Sequence, residues 1–157
     1  MPTNLTKNAI IDALHQLGLT AGDAVEVHSS LSSMGHVEGG PDTVIEALMD
    51  VVGEDGAIVM SAYTVTMPIE PTAEEKDEGV VCKVKFFGED EKCKSGMGAI
   101  ADAFRDREDT VLGEGLHRGC AWGKDAEMHC MDYKHLLAID GWVLLIGVDI
   151  HTCSSMH

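Results

Sequence analysis

Residues 25–44, VEVHSSLSSMGHVEGGPDTV, join a strand pattern to a helix pattern through a loop of serines and glycines. The first residues resemble a buried strand, and Pro41 stands where the first turn of a helix tolerates proline. A strand that leads directly into a helix is the repeating unit of α/β folds. The segment therefore predicts an α/β fold with this loop at a strand end.

Patterns before and after this segment continue the same order of elements. Apolar residues at helical spacing predict a helix over residues 5–17, and residues 57–64, AIVMSAYT, predict a buried strand. Residues 141–150, GWVLLIGVDI, are apolar on both faces, so we expect them to form a central strand. We predict an α/β fold with a mainly parallel central sheet flanked by helices. The chain length of 157 residues suits one domain with a single core.

Three further segments complete this prediction. Residues 65–94 carry two prolines and many charges without apolar periodicity, which predicts a long loop. Residues 95–107 predict a glycine loop that leads into a short helix, and residues 119–122 predict a strand. His117, His129 and His135 have polar neighbours, so we expect their side chains to face solvent.

Charge and cysteine content narrow the classes of function. Eleven basic and 27 acidic residues give a formal net charge of −16, which opposes nucleic acid and membrane partners. This charge favours cationic partners or substrates, and the alternative is a solvated acidic surface. Five cysteines without a C-x-x-C pair predict free thiols in a reducing compartment, and no apolar run approaches the length of a membrane-spanning helix. We therefore expect a cytoplasmic protein.

The serine and glycine loop is the first candidate site. Loops between strands and helices in α/β folds present backbone N–H groups and a positive helix end to anions. The sequence lacks both G-x-x-x-x-G-K-[ST] and G-x-G-x-x-G, the patterns of nucleotide-binding loops. From the residues alone, the loop suits either a phosphate-bearing cofactor or a tight turn whose serines cap the next helix.

The segment HTCSSMH at residues 151–157 is the second candidate site. His151, Cys153 and His157 have metal-ligand side chains, but their spacing matches no closed tetrahedral site, so we expect no metal. A small metal-binding module that uses these three residues stays an alternative, as does a catalytic histidine.

Five blocks of sequence over residues 23–157 form a recognisable series: VHSSLSSMGHVEGGPDTVIEAL, GAIVMSAYT, SGMGAIADAFR, AWGKDAE and GWVLLIGVDIHTCSSMH. Together they resemble the antibiotic N-acetyltransferase family, typified by the aminoglycoside 3-N-acetyltransferases. The HSSLSS-x-G-x-V-x-GG block is the most specific of the five. The resemblance implies that residues 1–157 form a single α/β acetyltransferase-like domain, or the N-terminal portion of a longer family domain.

The resemblance also implies an activity. It indicates a transferase, more narrowly an acyltransferase linked to antibiotic resistance, that moves an acetyl group from acetyl-CoA to an amine of an aminoglycoside or similar cationic substrate. Acetyl-CoA is then a co-substrate, and no metal is expected. The implied cofactor-binding residues are His28, Ser29, Ser30, Leu31, Ser32, Val37, Gly39, Tyr63, Thr64, Ser95, Gly96 and Gly98.

The family's histidine base corresponds to His157, which would take a proton from the attacking amine. Family members usually continue further, with a glutamate three residues after this histidine. The alternative function is therefore a catalytically impaired CoA-binding remnant or sensor. A small group of lysines would offset the negative charge of the coenzyme phosphates: Lys83, Lys85, Lys92 and Lys94.

Overall fold

A computed structural model of the protein describes residues 4–86, 95–115, 117–131 and 133–153. Within these ranges the chain forms a five-stranded sheet, a two-stranded hairpin and six α-helices. The strands are β1 (Ala24–Ser29), β2 (Ala57–Ser61), β3 (Thr66–Pro68), β4 (Val84–Phe86), β5 (Val111–Leu112), β6 (Gly119–Gly123) and β7 (Trp142–Ile146). The helices are α1 (Lys7–Leu17), α2 (Pro41–Val52), α3 (Ala73–Asp77), α4 (Ala99–Arg105), α5 (Ala126–His129) and α6 (Lys134–Ala138).

The sheet has the strand order β5-β6-β2-β1-β7. Strand β1 pairs in parallel with both β2 and β7, whereas β6 pairs antiparallel with β2 and β5. The α/β fold is confirmed, and the sheet is mixed, with one parallel and one antiparallel half. Because β1, β2 and β7 run in the same direction, their carboxyl ends lie along one edge of the sheet, and the loops that follow them meet there.

Strand β7 lies at the edge of the sheet among the described residues, so the prediction that it is central was wrong. Trp142 and Val143 are 46% and 44% exposed. The strand between two parallel neighbours is β1 instead. An apolar run shows that a strand prefers burial, but it does not show which neighbour lies beside it.

Local signals set the boundaries of the first two helices. The Thr6 hydroxyl accepts a hydrogen bond from the N–H of Ala9, and α1 ends at Gly18, whose φ of 101° is left-handed. Helix α2 begins at Pro41 and ends before Gly53. Both helices lie where the sequence predicted them, because these signals are local.

The segment predicted as a long loop contains short elements in its described part. Strands β3 and β4 pair antiparallel, and α3 between them begins with a capping box formed by Thr72 and Glu75. Lys83 donates a hydrogen bond to Glu75, so this lysine is held within the segment. Elements this short show no periodicity, which is why the pattern did not reveal them. Lys92 and Lys94 lie outside the described residues.

Helices cover the sheet on two faces. The larger apolar cluster lies under α1, α2 and α4, and β1 contributes Val25 and Val27 to it. The smaller cluster lies under α5 and α6 on the other face: Val59, Ala121, Ala126, Cys130 and Leu136. Alternate residues of a strand point to opposite faces, so β1 directs Glu26 and His28 toward this second face. None of the helices in the described ranges has both the length and the apolar character to span a bilayer.

Candidate functional site

A cavity of about 310 Å³ lies at the carboxyl ends of the parallel strands. The ends of β1 and β2, the glycine loop before α4 and the turn after β7 line it. The lining residues are Val27, His28, Ser29, Ser61, Tyr63, Gly96, Met97, Ala101, Val148 and Thr152. Strand β1 has β2 on one side and β7 on the other, so the cavity lies where open α/β sheets commonly bind ligands.

The cavity brings together four of the residues predicted to bind a cofactor. His28 and Ser29 come from the end of β1, Tyr63 follows β2, and Gly96 belongs to the loop before α4. The Tyr63 ring also contacts the His117 ring edge-on, with centroids 5.2 Å apart. Three separate segments therefore meet in one concave site.

The serines predicted at the start of the first loop form a cluster of hydroxyl groups. Ser33 donates a 2.9 Å hydrogen bond to the Ser30 hydroxyl, which lies 3.2 Å from that of Ser32. The N–H of Ser30 donates to the carbonyl of Ile146 at 2.9 Å, so the loop is attached to the end of β7. These hydroxyls follow the cavity residue Ser29 directly in the chain.

Three other predicted residues shape the polypeptide around the cavity. Leu31 and Val37 pack against the larger apolar cluster. Gly39 has a φ of 78°, and a Cβ there would lie 2.3 Å from Oγ1 of Thr43, so the turn into α2 requires glycine. Thr64, after β2, donates a 2.9 Å hydrogen bond to the carbonyl of Gly115.

Ser95 and Gly98 fold the glycine loop that leads into α4. The hydroxyl and the N–H of Ser95 both donate to Oδ1 of Asp102, at 2.6 and 2.8 Å. Gly98 has a φ of 105°, and a Cβ there would lie 3.3 Å from the carbonyl oxygen of Ser29. This close approach places Gly96 beside the end of β1.

Glu26 is a site residue that the sequence analysis missed. Its carboxylate is fully buried, and its Oε1 lies 2.6 Å from Nε2 of His28, which is 7% exposed. The two residues share a face of β1 because they are two positions apart. A buried carboxylate bonded to an imidazole fixes the orientation of the ring. The signal in the sequence was a glutamate between two valines, two residues before a histidine.

A second polar pair lies on the same face. The hydroxyls of Tyr133 and Ser61 are 2.8 Å apart. Burial is the main cause that raises the pKa of Tyr133 above its ordinary value, and the negative charge of Glu26 adds to this shift. The phenol therefore stays protonated near neutral pH.

His129 is only 2% exposed, so the expectation that it faces solvent was wrong. Helix α5 directs it toward the sheet, where its ring centroid lies 4.6 Å from that of His135. Burial is the main cause that lowers the pKa of His129, and the nearby His135 lowers it further. The polar neighbours in the sequence gave no indication of this tertiary contact.

The segment at residues 151–157 is described only in part. His157, the predicted base, lies outside the described residues. His151 is exposed and lies 3.9 Å from a carboxylate oxygen of Asp149, whereas Cys153 is fully buried. His151 and Cys153 therefore have different surroundings.

Comparisons with known proteins show the family of the chain. A family model described as Aminoglycoside 3-N-acetyltransferase matches residues 27–157. The SPbeta prophage-derived aminoglycoside N(3')-acetyltransferase-like protein YokD of Bacillus subtilis (strain 168) is 33% identical over 172 residues, covering 97% of this chain and 63% of that protein. Aminoglycoside N(3)-acetyltransferase III of Pseudomonas aeruginosa is 30% identical over 173 residues, covering 94% and 60%.

A solved structure shares the fold. AAC-IIIb, in a binary complex with CoASH, matches with a TM-score of 0.80 and 23% identity, covering 99% of this chain and 64% of that one. At this identity the match shows the fold alone. The chain spans about three fifths of the length of the two curated relatives, at 63% and 60%. The family model nevertheless covers most of the chain, and the chain therefore belongs to the aminoglycoside 3-N-acetyltransferase family.

Proposed function

We propose that residues 1–157 form a single α/β unit that moves an acetyl group from acetyl-CoA to an amine of an aminoglycoside or a similar cationic substrate. One observation carries this proposal: the cavity at the switch point of the sheet gathers His28, Ser29, Tyr63 and Gly96 from three segments. Membership of the family supports the reaction type. We place the activity in the cytoplasm and connect it with antibiotic resistance.

The loop after β1 and the glycine loop before α4 would hold acetyl-CoA. Serine hydroxyls and backbone N–H groups after β1 are suitable donors for phosphate oxygens, and α2 begins just beyond them with its positive end. Gly96 has no atom within 4 Å of the position where a Cβ would stand, so a ligand has access to its backbone. The remaining residues that we propose for this role are Ser30, Leu31, Ser32, Val37, Gly39, Thr64, Ser95 and Gly98.

The reaction requires a neutral amine, because a protonated amine has no lone pair. The amine nitrogen attacks the thioester carbonyl carbon and forms the new C–N bond. His157 is the proposed base that takes the amine proton, and backbone N–H groups of the glycine loop would stabilise the negative oxygen that develops. The C–S bond then breaks, and coenzyme A leaves as the thiol after it receives a proton.

The proposed acceptor follows from charge. With a net charge of −16, the protein attracts cations over long range, and aminoglycosides carry several ammonium groups. The curated relatives are named as aminoglycoside acetyltransferases, which supports this acceptor class.

Calorimetric titration of acetyl-CoA into the 157-residue protein tests the proposal, followed by a panel of aminoglycosides with the released thiol measured. We expect acetyl-CoA binding and one thiol released for each amine acetylated. Binding without thiol release would indicate a CoA-binding function alone, and the absence of binding would contradict the proposal.

A matched pair of glycine variants locates the binding site. Gly96 and Gly22 have φ values of 77° and 90°, with open space at both Cβ positions. An alanine therefore strains the backbone similarly at either position. Gly96 lines the cavity, whereas Gly22 precedes β1 at the opposite edge of the sheet. Gly96→Ala is expected to weaken acetyl-CoA binding at least tenfold, and Gly22→Ala is expected to leave it unchanged. Equal effects would place the coenzyme elsewhere.

A further inference from the structure

Three metal-ligand side chains meet beside the cavity. Glu26, His28 and Cys153 each place one ligand atom within 4.8 Å of the other two. All three residues are buried, and Glu26 and Cys153 are completely so. Glu26 and His28 belong to β1, and Cys153 follows β7. The parallel pairing of β1 with β7 brings these distant parts of the chain together.

The carboxylate of Glu26 is only half satisfied. Its Oε1 is bonded to His28, but its Oε2 is buried without a hydrogen-bond partner among the described residues. A buried carboxylate oxygen without a partner is costly, because it has lost its water. A cation bound by both oxygens of this carboxylate would remove the cost, so the unpartnered oxygen is independent evidence for a ligand.

The shape of the cluster favours an ion over a relay of protons. In a nucleophilic relay the thiol and the carboxylate lie on opposite sides of the imidazole, bonded to its two nitrogens. Here the thiol of Cys153 and an oxygen of Glu26 lie within 4.8 Å of each other as well as of His28. The three atoms therefore form a triangle around a common point, as metal ligands do.

We propose that Glu26, His28 and Cys153 bind a divalent cation of the Zn²⁺ class. Thiolate, imidazole and carboxylate are the ligands that Zn²⁺ prefers, whereas Mg²⁺ and Ca²⁺ prefer oxygen alone. A thiolate, a carboxylate and a neutral imidazole carry two negative charges together, so the occupied site is neutral in its buried surroundings. Three protein ligands leave a fourth position open, and His28 lines the cavity.

Binding requires only a small change at the pair on β1. Two ligands that each lie about 2.0 Å from a tetrahedral ion are about 3.3 Å apart. Nε2 of His28 and Oε1 of Glu26 are now 2.6 Å apart. If these two atoms are the ligands, the ion takes the place of the proton that they share, and they separate by about 0.7 Å. This ligand set excludes His151, which is exposed.

Titration of Co²⁺ into the metal-free 157-residue protein tests the site, because bonding of cobalt to a thiolate produces charge-transfer absorption in the near ultraviolet. We expect saturation at one equivalent and displacement of Co²⁺ by Zn²⁺. Cys153→Ser is expected to abolish the absorption, and Glu26→Gln to weaken Co²⁺ binding at least tenfold. Cys130→Ser is the matched control, because Cys130 is also a buried thiol but donates to the carbonyl of Glu127.

Absence of the absorption in the wild type would overturn the inference, as would its survival in Cys153→Ser or its equal loss in Cys130→Ser. Circular dichroism of each variant establishes that it is folded. Glu26→Gln conserves the size of the side chain, so it provides a second test if Cys153→Ser does not fold. Unchanged Co²⁺ affinity in Glu26→Gln would overturn the proposed metal site. The readout is independent of acetyl transfer, so this test and that of the proposed function can fail separately.

Discussion

Strand β1 has two buried faces, one apolar and one polar. On one face, Val25 and Val27 pack into the apolar cluster under α2 and α4. On the other face, Glu26 and His28 form a hydrogen-bonded pair. All four side chains are nearly inaccessible to water, so depth of burial does not distinguish the faces. Burial alone therefore does not show which part of the core mainly stabilises the fold.

The two faces differ in what burial contributes to folding. Full burial of a valine side chain stabilises the folded state by about 1.5–3 kcal/mol. Burial of a polar pair contributes less, because both groups lose their water and the hydrogen bond between them only partly compensates for this loss. We therefore interpret the first face as the main source of stability. The second face tolerates an energetic cost where the parallel strands end at the cavity, which supports a functional role for Glu26 and His28.

The largest expected effect belongs to the first face. Phe104 on α4 is completely buried in its cluster, so Phe104→Ala is expected to lower the free energy of unfolding by about 3–5 kcal/mol. Leu17 on α1 is 64% exposed, and Leu17→Ala is the control, with an expected change below about 0.5 kcal/mol. Urea unfolding measures both. A loss below about 1 kcal/mol for Phe104→Ala would contradict the assignment of stability to this face.

The next effect tests whether charge distinguishes the second face. His28→Ala leaves the Glu26 carboxylate buried without its partner, which we expect to cost about 3 kcal/mol. In a Glu26→Gln background the same change should cost at least about 1 kcal/mol less, because an amide carries no charge.

Urea unfolding of the four proteins in the presence of a chelator gives this coupling without a contribution from bound metal. Equal costs of His28→Ala in both backgrounds would mean that His28 acts through packing alone. The charge of Glu26 would then have no effect on the stability of the second face.

The parts of the fold that the sequence predicted are those with local causes. Helix α1 follows from apolar spacing and a glycine at its end, and α2 from Pro41 at its start. The position of the loop after β1 follows from strand and helix patterns on either side. The resemblance to the family also indicated which segments meet, and four of its residues line the cavity.

The parts that the sequence did not predict depend on contacts between distant residues. The edge position of β7 depends on strand order, which a single apolar run does not encode. The burial of His129 depends on the packing of α5 onto the sheet. Glu26 and Cys153 are separated by most of the chain, and neither is unusual until strand pairing brings them together.

The smallest expected effect is a pH dependence that belongs to the second face. Burial, together with His135, lowers the pKa of His129 below its ordinary value of about 6.5, although the negative charge of Asp125 opposes this shift. The unfolded chain therefore binds this proton more readily than the folded protein does. Stability from this group is complete above about pH 6.5 and decreases as the pH falls below that value. One proton limits the slope to about 1.4 kcal/mol per pH unit.

His129→Gln should flatten the fall in unfolding temperature between about pH 7 and pH 5, because the amide does not titrate. His36→Gln is the matched control, since the side chain of His36 is exposed. Thermal unfolding across this range compares both variants with the wild type. A fall that His129→Gln leaves unchanged would assign the titration to other groups. A fall that His129→Gln flattens would show that the second face responds to pH, as the valines of the first face cannot.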